Sequence, residues 1–308
     1  MAANTQYGRE MGGGLSPSDY RRGLLCTALG VLFLTPDALL VRLIHADSWT
    51  LLFWRGLLMS LSFSVFLGLA GLSPKNLNLK GLLAALFLAL STTCFVLSLH
   101  HTQAANTLII VATSPLLAAV MSAVFLREVV PPITWMAILV AVGGVSLSLQ
   151  DGLGRESLVG ELYAAGSAVC MASHFTALRW WRSENGPLAV WAAGFLTALV
   201  ALPLAPTLSV AADEIVWTAL LGGLVLPLAF GLMAVGPRYL PAPEVGLLLL
   251  GETVLGPLWV WLALKEQPGR ATLTGGLIVV MTLCAHSLYR RRGAKKAAAT
   301  APPPPASS

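Results

Sequence analysis

The chain is a series of long apolar stretches, each about as long as a helix that crosses a bilayer. Ten stretches can be counted, and they run over about residues 23–44, 49–71, 81–100, 104–126, 132–150, 159–180, 187–206, 215–236, 241–264 and 271–289. The hydrocarbon core of a bilayer is about 30 Å thick and needs roughly 20 apolar residues in a helix. Only helices and closed barrels satisfy the backbone in lipid, and these stretches are too continuous for barrel strands. The pattern predicts an all-α integral membrane protein with ten transmembrane helices.

Short polar segments with turn residues separate the stretches, and polar tails lie at both ends. The segment "DGLGRES" (151–157) separates the first five stretches from the last five. Residues 1–22 are predicted to be a disordered cytoplasmic tail. Residues 290–308 are basic and then rich in proline and alanine, which is typical of a solvated cytoplasmic tail.

Composition excludes an ordinary soluble domain. Only 11% of residues are charged, 56% are hydrophobic, and the mean hydropathy is +0.77. Soluble domains carry about 25% charged residues. The four cysteines are scattered singly, without metal-ligand spacing, so neither a disulfide framework nor a bound metal is predicted. The ATP-binding pattern GxxxxGK[ST] is missing from the sequence, so no cofactor and no ATP-driven transport by this chain alone are expected.

The distribution of lysine and arginine predicts the orientation in the membrane. With the N-terminus in the cytoplasm, 14 of the 19 basic residues fall on the inside. Four fall on the outside (Arg42, Arg155, Lys265 and Arg270), and Arg55 lies within a span. Inner loops carry the excess of positive charge in membrane proteins. Both termini are therefore expected on the cytoplasmic side of an inner membrane, and the basic C-terminal cluster is expected to meet lipid rather than nucleic acid.

An internal repeat divides the chain into two halves. The segments "LREVVPPITWMAILVAVGG" (126–144) and "LKEQPGRATLTGGLIVVMT" (264–282) align without gaps at an offset of 138 residues. Five predicted helices precede the segment between the halves, and five follow it. An odd number per repeat makes the two halves enter the membrane from opposite sides. The sequence thus predicts two inverted five-helix repeats around a central cavity, with the substrate site near the midplane.

Three segments resemble motifs of a known transporter superfamily. "ATSPLLAAVMSAVFLREVVPP" (112–132) has a mid-helix Ser-Pro followed by Leu-x-Glu at the helix end, and "GETVLGPLWVWLALKEQP" (251–268) repeats this arrangement. "FWRGLL" (53–58) supplies a second-span arginine. In order and spacing they resemble the drug/metabolite transporter superfamily, specifically EamA-type transporters with two EamA domains. The resemblance covers about 22–290, with repeats at 23–150 and 159–289.

The resemblance implies solute transport rather than enzymatic catalysis. Members of the superfamily export amino acids, other metabolites and drugs, and relatives carry nucleotide sugars, so the solute stays open. This chain departs from the pattern in its second half, where Thr253 replaces the partner of Pro115 and the proline comes later, at Pro257. Arg55 has no basic counterpart, because the offset falls on Ala193.

Three ionisable residues inside predicted spans are the first candidates for the site. Glu252 is the deepest acid, and a charge at the bilayer centre costs about 2.5–3.5 kcal/mol on insertion scales. A cation, a hydrogen-bonding partner or protonation must offset that cost. Asp37 follows Pro36, whose ring weakens the helix and directs the carboxylate towards a cavity. Arg55 either pairs with Asp37 at similar depth or holds a substrate carboxylate.

Two further candidates have plain structural alternatives. His174 is a candidate proton relay or cavity residue, or else a helix-packing histidine. Glu244 shares a helix face with Glu252 and is a candidate for the inner mouth of the path, or else an acid favoured by the first turn of a helix. Hinge or cavity roles are expected for five residues near the prolines: Pro36, Ser114, Pro115, Thr253 and Pro257.

Taken together, the sequence predicts a secondary active transporter that works by alternating access. The expected cargo is a small metabolite or drug-like solute, such as an amino acid or a cationic or zwitterionic compound. The expected direction is export, and protons are a candidate partner in transport. The alternatives are a nucleotide-sugar-type carrier, a channel-like protein, and a structural or sensor membrane protein. A monomer and a homodimer are both compatible with the sequence, because small residues in the fifth and tenth spans permit close helix packing.

Overall fold

The structure, a computed structural model, describes residues 17–69, 71–102, 104–148, 158–181, 186–264 and 270–300. Within these ranges the regular elements are helical, and they coincide in position with the predicted apolar stretches. The helices are α1 Pro17–Leu34, α2 Asp37–Leu43, α3 Ser48–Leu69, α4 Leu79–His101, α5 Ala104–Val111, α6 Ser114–Phe125, α7 Pro132–Ser148, α8 Leu158–Trp180, α9 Gly186–Ala201, α10 Ile215–Leu220, α11 Leu226–Met233, α12 Gly236–Tyr239, α13 Ala242–Leu264 and α14 Arg270–Thr300.

Four helical stretches in the described ranges are long and apolar enough to cross a bilayer on length and composition alone. They are Ser18–Val41, Ser48–Leu69, Leu79–His101 and Ile215–Tyr239. Shorter apolar helices occupy Ser114–Phe125, Pro132–Leu147, Gly186–Ala201 and Leu273–His286. This set supports a multi-pass helical membrane protein.

Both terminal helices extend further than the sequence predicted. α1 begins at Pro17, within the stretch 1–22 that was expected to be a disordered tail. Proline suits the first turn of a helix, Asp19 favours its N-terminal dipole, and the Tyr20 hydroxyl donates a hydrogen bond to Glu244 at 3.0 Å. α14 continues through the basic residues to Thr300, because alanine and lysine are good helix formers. Residues 1–16 and 301–308 lie outside the described ranges.

Two predicted spans are broken near their middle. The first breaks at Thr35 and Pro36, between α1 and α2, and the fourth breaks at Ala112 and Thr113, between α5 and α6. Proline lacks an N–H and clashes with the preceding turn, which accounts for both positions. α13 is helical through Pro257, so this proline does not break the helix. The loss of one hydrogen bond does not end this helix.

Helices in the two halves lie over residues that correspond at the repeat offset of 138. Within the described ranges, Ser48 and Gly186 both lie in helices, as do Ala104 and Ala242, and Pro132 and Arg270. The two halves therefore have helices over equivalent parts of the chain.

Equivalent helices α3 and α9 cross at a pair of equivalent glycines. A Cβ added to Gly56 would lie 2.5 Å from the carbonyl oxygen of Gly194, and one added to Gly194 would lie 2.8 Å from that of Gly56. Further along the crossing, the Ser60 hydroxyl donates to the carbonyl of Trp191 at 3.0 Å, and Gly56 lies against Ala198. Since residue numbers rise along α3 as they fall along α9, the two helices run antiparallel.

Hydrogen bonds between buried polar groups join α4 to α8. Ser91 and Ser167 each donate to the other's carbonyl oxygen at 3.0 Å, and the Ser98 hydroxyl donates to the carbonyl of Gly160 at 2.8 Å. In lipid, where apolar surface gives little preference for one partner, such bonds and small residues define which helices pack together. α4 and α8 supply two walls of the central cavity described next.

Candidate functional site

A cavity of about 60 Å³ lies between the two halves of the helical bundle. A water molecule needs about 10–15 Å³ on this scale, so the cavity has room for a few waters. The first half contributes side chains from α1 to α6, and the second half contributes side chains from α8, α11 and α13. Apolar residues form much of the wall, among them Phe95, Met171 and Phe230.

Asp37 and Arg55 form an ion pair on this wall. Arg55 Nη1 lies 3.1 Å from Asp37 Oδ1, and the two side chains are 4% and 5% exposed. The contact is not aligned as a hydrogen bond, and neither Arg55 Nε nor these two atoms has another hydrogen-bond partner among the described residues. Buried polar groups are nearly always satisfied. The pair therefore retains unused donor and acceptor capacity, which water or a solute can take up.

Glu252 brings a second carboxylate to the same cavity. It lies on α13, lines the wall with Asp37 and Arg55, and interacts electrostatically with both. When all three groups are ionised, two carboxylates face one guanidinium and the set carries one net negative charge. An uncompensated buried charge is costly, so the set favours one proton or one cationic group.

Both broken helices deliver side chains to this cavity. Asp37 is the first residue of α2, directly after the break at Pro36, and Ser114 is the first residue of α6, after the break at Thr113. Ser114 is 3% exposed and lines the wall. Interrupted helices of this kind expose backbone polar groups only where they line a cavity or are buried in protein.

Comparison with known proteins gives the family. The sequence profile of the EamA-like transporter family matches the chain twice, over residues 21–150 and 158–287. The chain belongs to the EamA-like transporter family. The two matches confirm the two EamA domains that the motifs indicated, and they place the chain in the drug/metabolite transporter superfamily as a membrane transporter.

The fold of this EamA-type chain also occurs in a solved crystal structure, described only as that of a protein. The two share 22% sequence identity and superpose with a TM-score of 0.75, over 90% of this chain and 99% of the other. The comparison therefore supports the fold alone. No curated protein sequence matches the chain.

Two of the predicted site residues of this EamA-type protein have local partners away from the cavity wall. His174 on α8 is 1% exposed, and its Nδ1 lies 2.8 Å from the carbonyl oxygen of Ala84. Glu244, at the start of α13, is 4% exposed and accepts the hydrogen bond from Tyr20. Neither residue belongs to the lining of the cavity.

The predicted hinge residues occupy different positions around the cavity. Pro36 follows the first break and is partly exposed. Pro115 is buried in α6, where a Cβ added to Gly246 of α13 would lie 3.1 Å from the Pro115 Cα. The side chains of Thr253 and Pro257 lie outside the described part of the chain, so their predicted roles rest on the sequence.

The sequence reading missed an ion pair near the predicted cytoplasmic ends of α6 and α8. Arg179 Nε donates to Glu128 Oε1 at 2.9 Å, and the Arg179 side chain is 4% exposed. Glu128 belongs to the Leu-x-Glu motif, whereas Arg179 was counted only as a charge that sets orientation. The signal was available in the apolar context of Arg179, which lies in the last turn of α8.

Proposed function

We propose that the chain is a secondary active transporter for a small solute that carries a positive charge, with exchange against protons. The set of Asp37, Arg55 and Glu252 supports this proposal most directly. A monovalent cation, the ammonium group of a zwitterion or a proton would neutralise its net negative charge. An anionic solute would be repelled by two carboxylates, which disfavours a nucleotide-sugar-type carrier.

Proton exchange follows from the shared charge of the set. If a cationic solute and a proton compete for the same carboxylate, then each leaves when the other arrives. The two cannot occupy Glu252 together, so movement of the solute in one direction drives movement of protons in the other. Export by such an exchanger uses the inward proton gradient across an inner membrane.

The proposed architecture has ten spans in two inverted repeats. The antiparallel course of the equivalent helices α3 and α9 supports inversion, because parallel repeats would make equivalent helices run the same way. The two family matches and the repeat offset of 138 residues in the sequence support five spans in each half. Because this topology would put 14 of the 19 basic residues on one side, the proposal has both termini in the cytoplasm.

Alternating access would open the cavity to one side at a time. Solute sites typically measure about 300–1,000 Å³, so the cavity of about 60 Å³ corresponds to a contracted state. The halves would have to separate before a solute entered. Breaks beside Asp37 and Ser114 provide places where the half-helices can reorient while the rest of each span stays helical.

Transport into liposomes tests this proposal. Purified protein is first screened by thermal shift with amino acids, polyamines and quaternary ammonium compounds. The compounds that stabilise it are then tested for uptake into proteoliposomes, with and without a pH gradient. We expect a cationic or zwitterionic compound to be moved faster with the gradient than without it.

Substitution of Glu252 provides the decisive comparison. Glu252→Gln keeps the shape of the side chain and removes its charge, so we expect gradient-driven uptake to be lost. Asp47→Asn makes the same chemical change at an exposed acid before α3, and we expect it to transport like the unmodified protein. Uptake by Glu252→Gln at the unmodified rate would contradict the proposed role of this carboxylate.

A further inference from the structure

We infer that Trp259 is a positioning residue, which holds the break at Pro36 so that Asp37 and Glu252 face the same site. This inference rests on the proposed function of the carboxylates. Trp259 lies on α13, seven residues after Glu252, which is about 10.5 Å or two turns along the same helix face. Its indole Nε1 donates a hydrogen bond to the hydroxyl oxygen of Thr35 at 2.7 Å.

Thr35 compensates for the hydrogen bond that Pro36 cannot make. In an unbroken helix the N–H of residue 36 would donate to the carbonyl of Leu32, four residues earlier. Proline has no N–H, so this carbonyl loses its partner. The Thr35 hydroxyl donates to the Leu32 carbonyl at 2.7 Å instead, and the Thr35 residue is 2% exposed. The broken end of α1 is thereby satisfied inside the protein.

The two hydrogen bonds form a chain from α13 to the end of α1. The indole N–H of Trp259 donates to the Thr35 oxygen, and the Thr35 hydroxyl hydrogen points to Leu32. The donation by Trp259 fixes which way the hydroxyl is turned, because the Thr35 oxygen accepts from one side and donates on the other. α2 begins two residues after Thr35, with Asp37 at its first position.

This chain of hydrogen bonds couples the position of Asp37 to that of Glu252. Glu252 moves with α13, and Asp37 moves with the break that α13 holds through Trp259. Around Glu252, the charged groups on the cavity wall are Asp37 on α2 and Arg55 on α3, within the part of the chain that the structure describes. On α8, His174 bonds to Ala84 instead. A change in the break therefore alters the distance between Asp37 and Glu252, and with it the electrostatic potential at Glu252.

The chain offers a matched control for this tryptophan. Trp191 on α9 also joins two helices, since its Nε1 donates to the hydroxyl oxygen of Ser64 on α3 at 2.9 Å. Trp191→Phe and Trp259→Phe remove the same atoms and the same type of hydrogen bond. Only Trp259 is joined to a helix break beside a cavity carboxylate, so only its substitution is expected to change the behaviour of the site.

The test measures the thermal stability of the purified, full-length protein as a function of pH between pH 5 and 9. The unmodified protein should show a transition that Glu252→Gln removes. Trp259→Phe should retain that transition but move its midpoint by about half a pH unit or more, because the neighbouring charge is displaced. Trp191→Phe should lower stability at all pH values and leave the midpoint in place.

Substitutions at Thr35 provide a second route to the same conclusion if Trp259→Phe does not fold. Thr35→Val keeps the shape and removes both hydrogen bonds, so it should move the midpoint as Trp259→Phe does. Thr35→Ser keeps the hydroxyl, so its pH transition should have the same midpoint as that of the unmodified protein. Combining Trp259→Phe with Thr35→Val should add little, because the two residues act through one chain of bonds.

The outcomes separate the two proposals. A titration that Glu252→Gln does not change would contradict the proposed proton site. A transition that depends on Glu252 but has the same midpoint in Trp259→Phe, Thr35→Val and Trp191→Phe would leave that site intact and overturn the positioning role of Trp259.

Discussion

At the scale of single residues, the main feature is an ion pair with incomplete hydrogen bonding. Arg55 and Asp37 lie 3.1 Å apart, almost fully buried, and their contact is not aligned as a hydrogen bond. A structural pair would be stabilised by well-aligned bonds to every polar atom. The unpaired atoms of Asp37 and Arg55 are consistent with the proposal that this pair exchanges partners when a solute binds.

Removal of one member of the pair should destabilise the protein. Arg55→Met leaves Asp37 as an unpaired buried carboxylate, and we expect a loss of about 3–5 kcal/mol in the free energy of unfolding. The double variant Arg55→Met/Asp37→Asn removes both charges and should recover much of that loss. Unfolding in detergent micelles, followed by circular dichroism, measures the difference. Additive losses in the double variant would contradict the pairing.

At the scale of helices, close backbone contact and buried polar bonds determine the packing. α3 and α9 approach so closely at Gly56 and Gly194 that neither position has room for a Cβ. α6 and α8 are joined at their ends by Glu128 and Arg179. Lipid-facing surfaces are as apolar as the interior, so hydrophobicity alone does not select these contacts.

A methyl group at the glycine crossing should separate the two helices. Gly56→Ala would meet backbone atoms of Gly194 and Ala198 at 2.5 and 2.7 Å, which cannot move independently of α9. We expect a cost of about 1–3 kcal/mol. Gly68→Ala, in the same helix, has nothing within 4 Å of the added Cβ and should be neutral or slightly stabilising. Equal stability of the two variants would refute the close crossing.

The ion pair between α6 and α8 should matter more than a comparable exposed pair. Glu128→Gln leaves the guanidinium of Arg179 buried without its counter-charge, and we expect a loss of at least about 2 kcal/mol. His45 and Glu214 also lie 3.1 Å apart, but the His45 side chain is 81% exposed. His45→Gln should therefore change stability by less than about 1 kcal/mol. Chemical denaturation of both variants tests this ranking.

At the scale of the whole molecule, the proposed orientation makes a direct prediction. Asp47 precedes α3 and Lys75 follows it, so a span between them puts the two on opposite sides of the membrane. In a variant without the native cysteines, Asp47→Cys should react with a membrane-impermeant maleimide added to intact cells. Lys75→Cys should react only after the cells are opened. The reverse pattern would contradict cytoplasmic termini.

Much of this molecule could be predicted from its sequence, for identifiable physical reasons. Charge in lipid is costly, so Asp37, Arg55 and Glu252 stood out without a structure, and all three line the cavity. The same criterion selected His174 and Glu244, which the structure gives local partners. Sequence shows that a buried polar group needs a partner, but not which partner it finds.

Other features lay beyond sequence reasoning because the helices are apolar on every side. Periodicity could not tell which face of α3 meets α9, so Gly56 was not singled out. The pairing of Arg179 with Glu128 joins residues 51 positions apart, and only the packing of two helices brings them together. Trp259 was not singled out, since nothing in the local sequence connects it to Thr35.

The contact of Gly56 with Gly194 has a consequence for how the two halves can diverge. Gly56 and Gly194 occupy the same position in the two copies of the repeat, and they contact each other where the halves pack together. A larger side chain at either glycine would collide with the backbone of the other helix. Both positions therefore need a small residue, even where the sequences of the two halves differ. An isolated half would expose the helix face that forms this contact, and two halves made as separate chains could still pack together through it.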